Sequence, residues 1–135
     1  MKFKKINNEE ELKELMTETN DFHDGVINSV KYRSGSTGYC GGTCPFDSLA
    51  RADVLIEGIC GGIDVVLRFD KVKRINIVPI KEDYSTNIFD ALLIIKNGLF
   101  IFSPFCDVKD EMDNNSTYIT SEKLSYIIKK SKKTR

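Results

Sequence analysis

Two cysteines, Cys40 and Cys44, are separated only by Gly-Gly-Thr, a spacing at which both sulfur atoms can act at one site. Two thiolates so placed can hold one zinc ion or form a reversible disulfide. A structural zinc site normally needs four ligands, and Cys60, Cys106 and His23 stand at no ligand spacing from one another. Zinc binding or thiol redox chemistry at Cys40 and Cys44 is therefore the alternative prediction. The main prediction is a chain without a cofactor.

The single histidine, His23, lies in the segment Asp21-Phe22-His23-Asp24-Gly25, at the predicted entry to the first strand. As a general base or a ligand, it would have its imidazole oriented by Asp21 or Asp24. In the other interpretation, its ring nitrogens satisfy backbone groups at the strand start, and Asp24-Gly25 shapes the turn. No nucleophile motif surrounds the nearby cysteines and serines. His23 and Asp24 are therefore candidate binding residues, and no catalytic residue is predicted.

Acidic residues are concentrated in two segments of the chain. Residues 9–24 hold seven acids and one lysine, and residues 107–113 hold four acids and one lysine. Asp107, Asp110 and Asp113 lack the alternating spacing and central glycine of a calcium loop. If the two segments lie on one side of the fold, they form a negative surface for a basic partner. We therefore count these three aspartates as candidate binding residues.

The charge of the whole chain is balanced, with 20 Lys+Arg and 20 Asp+Glu among 135 residues. Residues 1–128, however, contain all 20 acids but only 15 of the 20 basic residues, a net charge of about −5. The sequence thus predicts an acidic body followed by a basic tail, which favours a basic protein partner over nucleic acid. It leaves the oligomeric state open.

Length and hydropathy predict one domain at residues 1–128 and a disordered tail at 129–135. The N-terminus has no apolar signal region, and the longest apolar run, Ala91 to Ile95, is far shorter than a membrane span. We therefore expect a cytoplasmic protein with reduced thiols and no membrane partner. Cys60 and Cys106 adjoin apolar runs, which predicts that they are small core residues.

A short helix is predicted over residues 8–18. Asn8 can cap it with Glu11 as the capping-box partner, and acids occupy the first turn. Its one narrow apolar face consists of Leu12, Leu15 and Met16. A face this narrow predicts a helix that lies on a sheet.

Strand patterns dominate the rest of the chain. The first strand, 26–33, is predicted to place Val26, Val30 and Tyr32 on one side. Asn97-Gly98 supplies the two residues with positive φ that a type I′ hairpin turn needs, and its flanking runs are apolar on both faces, which predicts central strands. Further strands are predicted at 53–59, 63–69, 72–78, 88–96, 99–105 and 117–120, while 121–130 favours strand over helix. The segments 34–48 and 107–115 are predicted loops.

About seven short strands with short connections imply antiparallel pairing. The predicted fold is α+β and mainly antiparallel β, with one N-terminal helix. The sheet is either a single curved one or two packed sheets.

Several short motifs occur in a particular order: Phe22-His23-Asp24-Gly25, Leu67-Arg68-Phe69, Ile88-Phe89-Asp90-Ala91, Lys96-Asn97-Gly98-Leu99-Phe100 and Thr117-Tyr118-Ile119. In this order the chain resembles a loose group of small, uncharacterised bacterial proteins with a Phe-His-Asp element. Some of these are grouped with the immunity proteins of contact-dependent toxin systems. The resemblance covers roughly residues 20–128, and the Cys/Gly-rich insert at 34–48 departs from it. It implies a non-enzymatic role in which the protein binds and blocks a cognate partner.

The leading functional prediction is therefore an immunity-like protein-binding module. A zinc-binding or thiol-redox domain built on Cys40 and Cys44 is the alternative. A small hydrolase that uses His23 comes third.

Overall fold

The computed structural model describes residues 2–35, 49–79, 87–105 and 116–131. The elements in these ranges are β1 (Lys4–Ile6), α1 (Glu9–Glu18), β2 (Val26–Arg33), β3 (Arg51–Ile59), β4 (Ile63–Asn76), β5 (Leu92–Lys96), β6 (Leu99–Ser103) and β7 (Tyr118–Lys130). The strands form one open antiparallel sheet in the order β2-β3-β4-β7-β6-β5, and β1 pairs with β7. The predicted α+β class, with about seven antiparallel strands and one N-terminal helix, is confirmed.

Helix α1 begins as its sequence predicts. The Asn8 side chain accepts a hydrogen bond from the Glu11 backbone N–H at 2.9 Å, and the Glu11 carboxylate accepts one from the Asn7 N–H at 3.1 Å. Both bonds satisfy N–H groups at or just before the helix start that would otherwise lack a partner. Leu12 and Leu15 are buried in the core, so the helix covers one face of the sheet. We call this face the front.

The two faces of the sheet differ in chemistry. On the front, β3 and β4 bring together the buried pairs Ala52–Phe69, Val54–Leu67 and Ile56–Val65. On the back, the same strands carry two cross-strand ion pairs, Arg68–Asp53 at 3.0 Å and Arg51–Asp70 at 2.6 Å. The period-2 alternation therefore has one apolar side under the helix and one charged side.

Strand β4 is a single strand where the sequence predicts two, at 63–69 and 72–78. Lys71 has φ +55°, and the register with β7 shifts between Val72 and Arg74. These two features form an irregularity at which the strand bends without ending. Side-chain alternation alone cannot show that pairing continues through such a point.

The Asn97-Gly98 hairpin is confirmed, with φ values of +53° and +78°. Its strands are shorter at their outer ends than the predicted 88–96 and 99–105. Strand β6 is buried on both faces, as its apolar pattern predicts. Strand β5 is an edge strand with Ile94 37% exposed, so the prediction that both strands are central is wrong for β5.

Residues 121–130, for which the sequence favours strand over helix, form part of strand β7. It also absorbs the predicted strand 117–120 and continues through Lys130, two residues into the predicted tail. One side of β7 pairs with β4, and the other pairs with β6 and β1. Three basic residues follow Lys130, so the acidic excess of residues 1–130 is about three charges. Within the described ranges, no helix is long and apolar enough to span a membrane.

In β2, which corresponds to the predicted strand 26–33, the side chains do not all lie on the predicted sides of the sheet. The register between β2 and β3 shifts between Ile27 and Ser29, so Ile27, instead of Val26, shares the front face with Val30. The extra residue at this bulge reverses the alternation for everything before it.

Candidate functional site

The chain leaves α1 through a left-handed turn. Asn20, Asp21 and Phe22 have φ values of +51°, +55° and +59°. This region costs ordinary side chains about 1–2 kcal/mol per residue, and Asn and Asp tolerate it better than Phe. The Phe22 ring is fully buried and packs edge-on against Phe102 with ring centroids 6.2 Å apart. Burial of this ring therefore holds the turn in place.

Gly25 follows the turn at a point where the backbone meets the core. A Cβ at this position would lie 2.7 Å from Ile56 Cγ2, 2.9 Å from Ile59 Cγ1 and 3.0 Å from the Phe22 carbonyl oxygen. Only glycine permits this approach. The position of residues 21–25 is thus fixed from both ends.

Residues 21–25 and 87–91 bond to each other, and we call this pair of segments the clamp. The Asp24 N–H donates to the Ile88 carbonyl at 2.8 Å, and the Ile88 N–H donates to the Gly25 carbonyl at 2.8 Å. The Ala91 N–H donates to the Asp21 carbonyl at 3.2 Å. Residues 88–91 were predicted as strand, but they belong to the clamp, and β5 begins only at Leu92.

The clamp joins the chain just before β2 to the chain just before β5. These are the two edge strands of the sheet, so the segments that lead into its two edges bond to each other at one end. Ile88 is fully buried and anchors the second segment to the core. The Asn87 side-chain amide adds a bond to the Asp24 carbonyl at 3.1 Å.

His23 completes the clamp with a side-chain bond. Its Nδ1 lies 2.6 Å from the Phe89 carbonyl oxygen, and because a carbonyl can only accept, Nδ1 carries the proton. Nε2 lies 3.6 Å from Asp24 Oδ1. The bond to the Phe89 carbonyl raises the pKa of His23 above 6.5, partial burial opposes the rise, and Asp24 and Asp90 add to it. Of the two interpretations of His23, the geometry favours the one in which a ring nitrogen satisfies a backbone group.

The outer side of the clamp exposes an aromatic ring beside carboxylates. Phe89 is 68% exposed, more than any other large apolar side chain in the described ranges. Its ring lies 6.4 Å from that of His23, and the Asp24 side chain is 57% exposed. We call His23, Asp24, Phe89 and Asp90 the clamp surface. The sequence indicates His23 and Asp24 as site residues but gives no sign of Phe89 and Asp90, whose placement depends on the pairing of distant segments.

Cys60 is exposed, so the prediction that it is a core residue is wrong. It lies in the turn between β3 and β4, and its backbone N–H donates to the His23 carbonyl at 2.8 Å. An adjoining apolar run predicted burial for a residue that the turn instead places at the surface.

The other predicted site residues lie outside the described ranges. They are Cys40, Cys44, Asp107, Asp110 and Asp113. Among the residues that the structure does describe, no group of three or more His, Cys, Asp or Glu is arranged to hold a metal ion. Of the predicted site residues, the described structure therefore brings together only His23 and Asp24.

No protein-family model, curated protein or solved structure matches this chain.

Proposed function

We propose that this chain is a non-enzymatic, cytoplasmic protein-binding module that presents the clamp surface to a basic protein partner. The observation that carries the proposal is Phe89, a large aromatic side chain that is 68% exposed on a backbone held by hydrogen bonds. A partner that covers this ring removes its apolar surface from water, which favours binding.

The backbone on either side of Phe89 is fixed before any partner arrives. Ile88 is buried and bonded through both its N–H and its carbonyl, and the Phe89 carbonyl accepts the His23 bond. Binding therefore costs little backbone entropy at this position. Pre-ordered aromatic side chains are common among the few residues that dominate interface energies.

The charges beside Phe89 support a basic partner. Asp24 and Asp90 both lie close enough to His23 to raise its pKa. A Lys or Arg side chain can lie over the Phe89 ring and pair with a carboxylate at the same time. If the partner needs that Lys or Arg for its activity, this contact blocks the partner. Such blocking agrees with the immunity-like role that the sequence resemblance implies. This role needs no cofactor.

The test is an NMR titration with two soluble peptides, one of alternating Arg and Gly and one of alternating Glu and Gly. We expect the Arg peptide to shift the amide signals of residues 21–25 and 87–91, and we expect added salt to reduce the shifts. Phe89→Ala should weaken this binding about tenfold, as for a residue at the centre of an interface. Tyr32→Ala is the matched control, because Tyr32 is 55% exposed and lies on β2 outside the clamp.

Two outcomes would overturn the proposal. One is stronger binding of the Glu peptide than of the Arg peptide. The other is equal loss of binding in Phe89→Ala and Tyr32→Ala, which would show that any exposed aromatic serves equally well.

A further inference from the structure

Among the residues that the structure describes, strand β5 forms one edge of the sheet. It pairs with β6 through five consecutive residues, from Leu92 with Ser103 to Lys96 with Leu99, and no strand in the described ranges pairs with its other side. The strand contains no proline and no bulge, and its first four residues are Leu-Leu-Ile-Ile. Natural proteins normally protect such an edge, because it is a template for another strand.

The hairpin turn determines which backbone groups of β5 point outward. In a two-residue turn the flanking residues, Lys96 and Leu99, exchange hydrogen bonds with each other. Pairs then alternate along the ladder, so Ile94 also bonds toward β6. The N–H and carbonyl groups of Leu93 and Ile95 consequently point away from the sheet.

This pattern is compatible with two-fold symmetry. If β5 pairs antiparallel with a second β5 about Ile94, Leu93 of each copy lies opposite Ile95 of the other. Those are the residues whose backbone groups point outward, so the symmetric register supplies four hydrogen bonds between the copies.

The front side of this edge offers apolar surface for the same contact. Leu93 and Ile95 face the front, where α1 runs beside them and leaves a groove of about 520 Å³. The helix contributes Leu12 and Met16 to the groove. Two-fold pairing of β5 places both helices on the same side of the joined sheet, where the two grooves meet in one apolar seam.

The charges around the groove decide what can occupy it. Glu9, Glu10, Lys13 and Lys96 line the groove, two acids and two amines. A strongly basic segment would meet the lysines, and a strongly acidic one would meet the glutamates. A patch that carries both signs can pair unlike charges with a copy of itself, because a two-fold axis sets the patch against its own counterpart.

We propose that a second copy of this chain pairs with β5, so that one antiparallel sheet runs through a homodimer. This contact uses the outward backbone groups of Leu93 and Ile95 and is distinct from the clamp bonds, which involve residues 21–25 and 87–91.

The test is the mass in solution of the full chain over a hundredfold concentration range, by sedimentation or light scattering. We expect the wild-type protein to dimerise and Ile94→Lys to be monomeric, because it places two like charges at the symmetry axis. Ile94 is partly exposed, so the fold should survive, and circular dichroism checks this. Tyr32→Lys, the matched change on the opposite edge, should leave the dimer intact.

Two further measurements separate strand pairing from other modes of association. Hydrogen exchange at the Leu93 and Ile95 amides should slow with rising protein concentration. Lys96→Glu, which unbalances the charges but leaves the four apolar residues of β5 unchanged, should weaken the dimer several-fold. A wild-type protein that is monomeric throughout, or a dimer that Tyr32→Lys disrupts and Ile94→Lys does not, would overturn the proposal.

Discussion

The two edge strands of the sheet are built in opposite ways. Strand β2 carries a bulge between Ile27 and Ser29, and its outer half has exposed charges at Lys31 and Arg33. Strand β5 pairs with its neighbour without any shift in register and is apolar until Lys96. Bulges and edge charges are the devices by which proteins prevent edge-to-edge pairing. This chain uses both on β2 and neither on the apolar part of β5.

The two edges of the sheet are therefore not equivalent: β2 has features that prevent pairing with another strand, and the apolar part of β5 does not. The same chain that protects β2 leaves β5 ready to pair, although the clamp ties both edges together at one end. Disturbing first the clamp that the edges share, and then each edge, tests this difference.

The largest effect is expected when the buried ring of the clamp is removed. Phe22→Ala should lower the free energy of unfolding by about 3 kcal/mol, because a fully buried aromatic side chain is lost. Alanine keeps the Cβ, so the cost of the positive φ at this position remains. Phe89→Ala, in the same clamp but exposed, should change stability by less than about 0.5 kcal/mol. Chemical denaturation measures the free energy of unfolding of both variants. Equal losses would contradict the assignment of Phe22 as a buried ring and Phe89 as an exposed one.

Gly25→Ala should have the next largest effect. The new methyl group would collide with Ile56 and Ile59, and such overpacking costs about 1–3 kcal/mol. Ser29→Ala, at a half-buried position in β2, is the control and should be close to neutral. If the variant is as stable as the control, the core can move aside, and the clamp is less tightly fixed than its contacts indicate.

Removing the charges that protect β2 should make the two edges more alike. In the double variant Lys31→Val/Arg33→Val, we expect association beyond the dimer that light scattering detects, while far-ultraviolet circular dichroism stays unchanged. The bulge remains, so the effect should be moderate. The same two changes in Ile94→Lys would show whether β2 can associate on its own.

The smallest effect concerns protonation of His23. Its pKa is raised in the folded state, so its contribution to stability is fully present below about pH 6.5 and is lost as the pH rises through the folded pKa. Urea denaturation should therefore show a slight loss of stability across this window in the wild type and none in His23→Gln. Proton NMR can follow this single histidine directly, and a pKa below 6.5 would contradict the bond to the Phe89 carbonyl.

Local signals predicted the parts of the fold that depend on neighbours in sequence. Asn8 and Glu11 fixed the start of the helix, and Asn97-Gly98 fixed the hairpin. The alternation of residues 63–69 identified the front face. Each rests on a few adjacent side chains, and each is confirmed.

The parts that depend on distant contacts were missed. The short strand β1 exists only because β7 pairs with it, and Phe89 is presented outward only because residues 21–25 bond to 87–91. The left-handed turn at Asn20 to Phe22 contains no glycine, and Asn20-Asp21 alone does not distinguish it from an ordinary turn. For the candidate site, sequence reasoning could therefore name His23 and Asp24 but could not see the surface to which they belong.

The pairing of β7 with three strands has a consequence for how the chain is made. On the ribosome, β1, β4 and β6 are all synthesised before β7, yet each needs β7 to complete its hydrogen bonds. A nascent chain that has not yet exposed residues 118–130 therefore carries three incomplete strands and an uncovered apolar face. The sheet can close only after β7 has been synthesised, and until then the exposed strand edges are open to pairing with other chains.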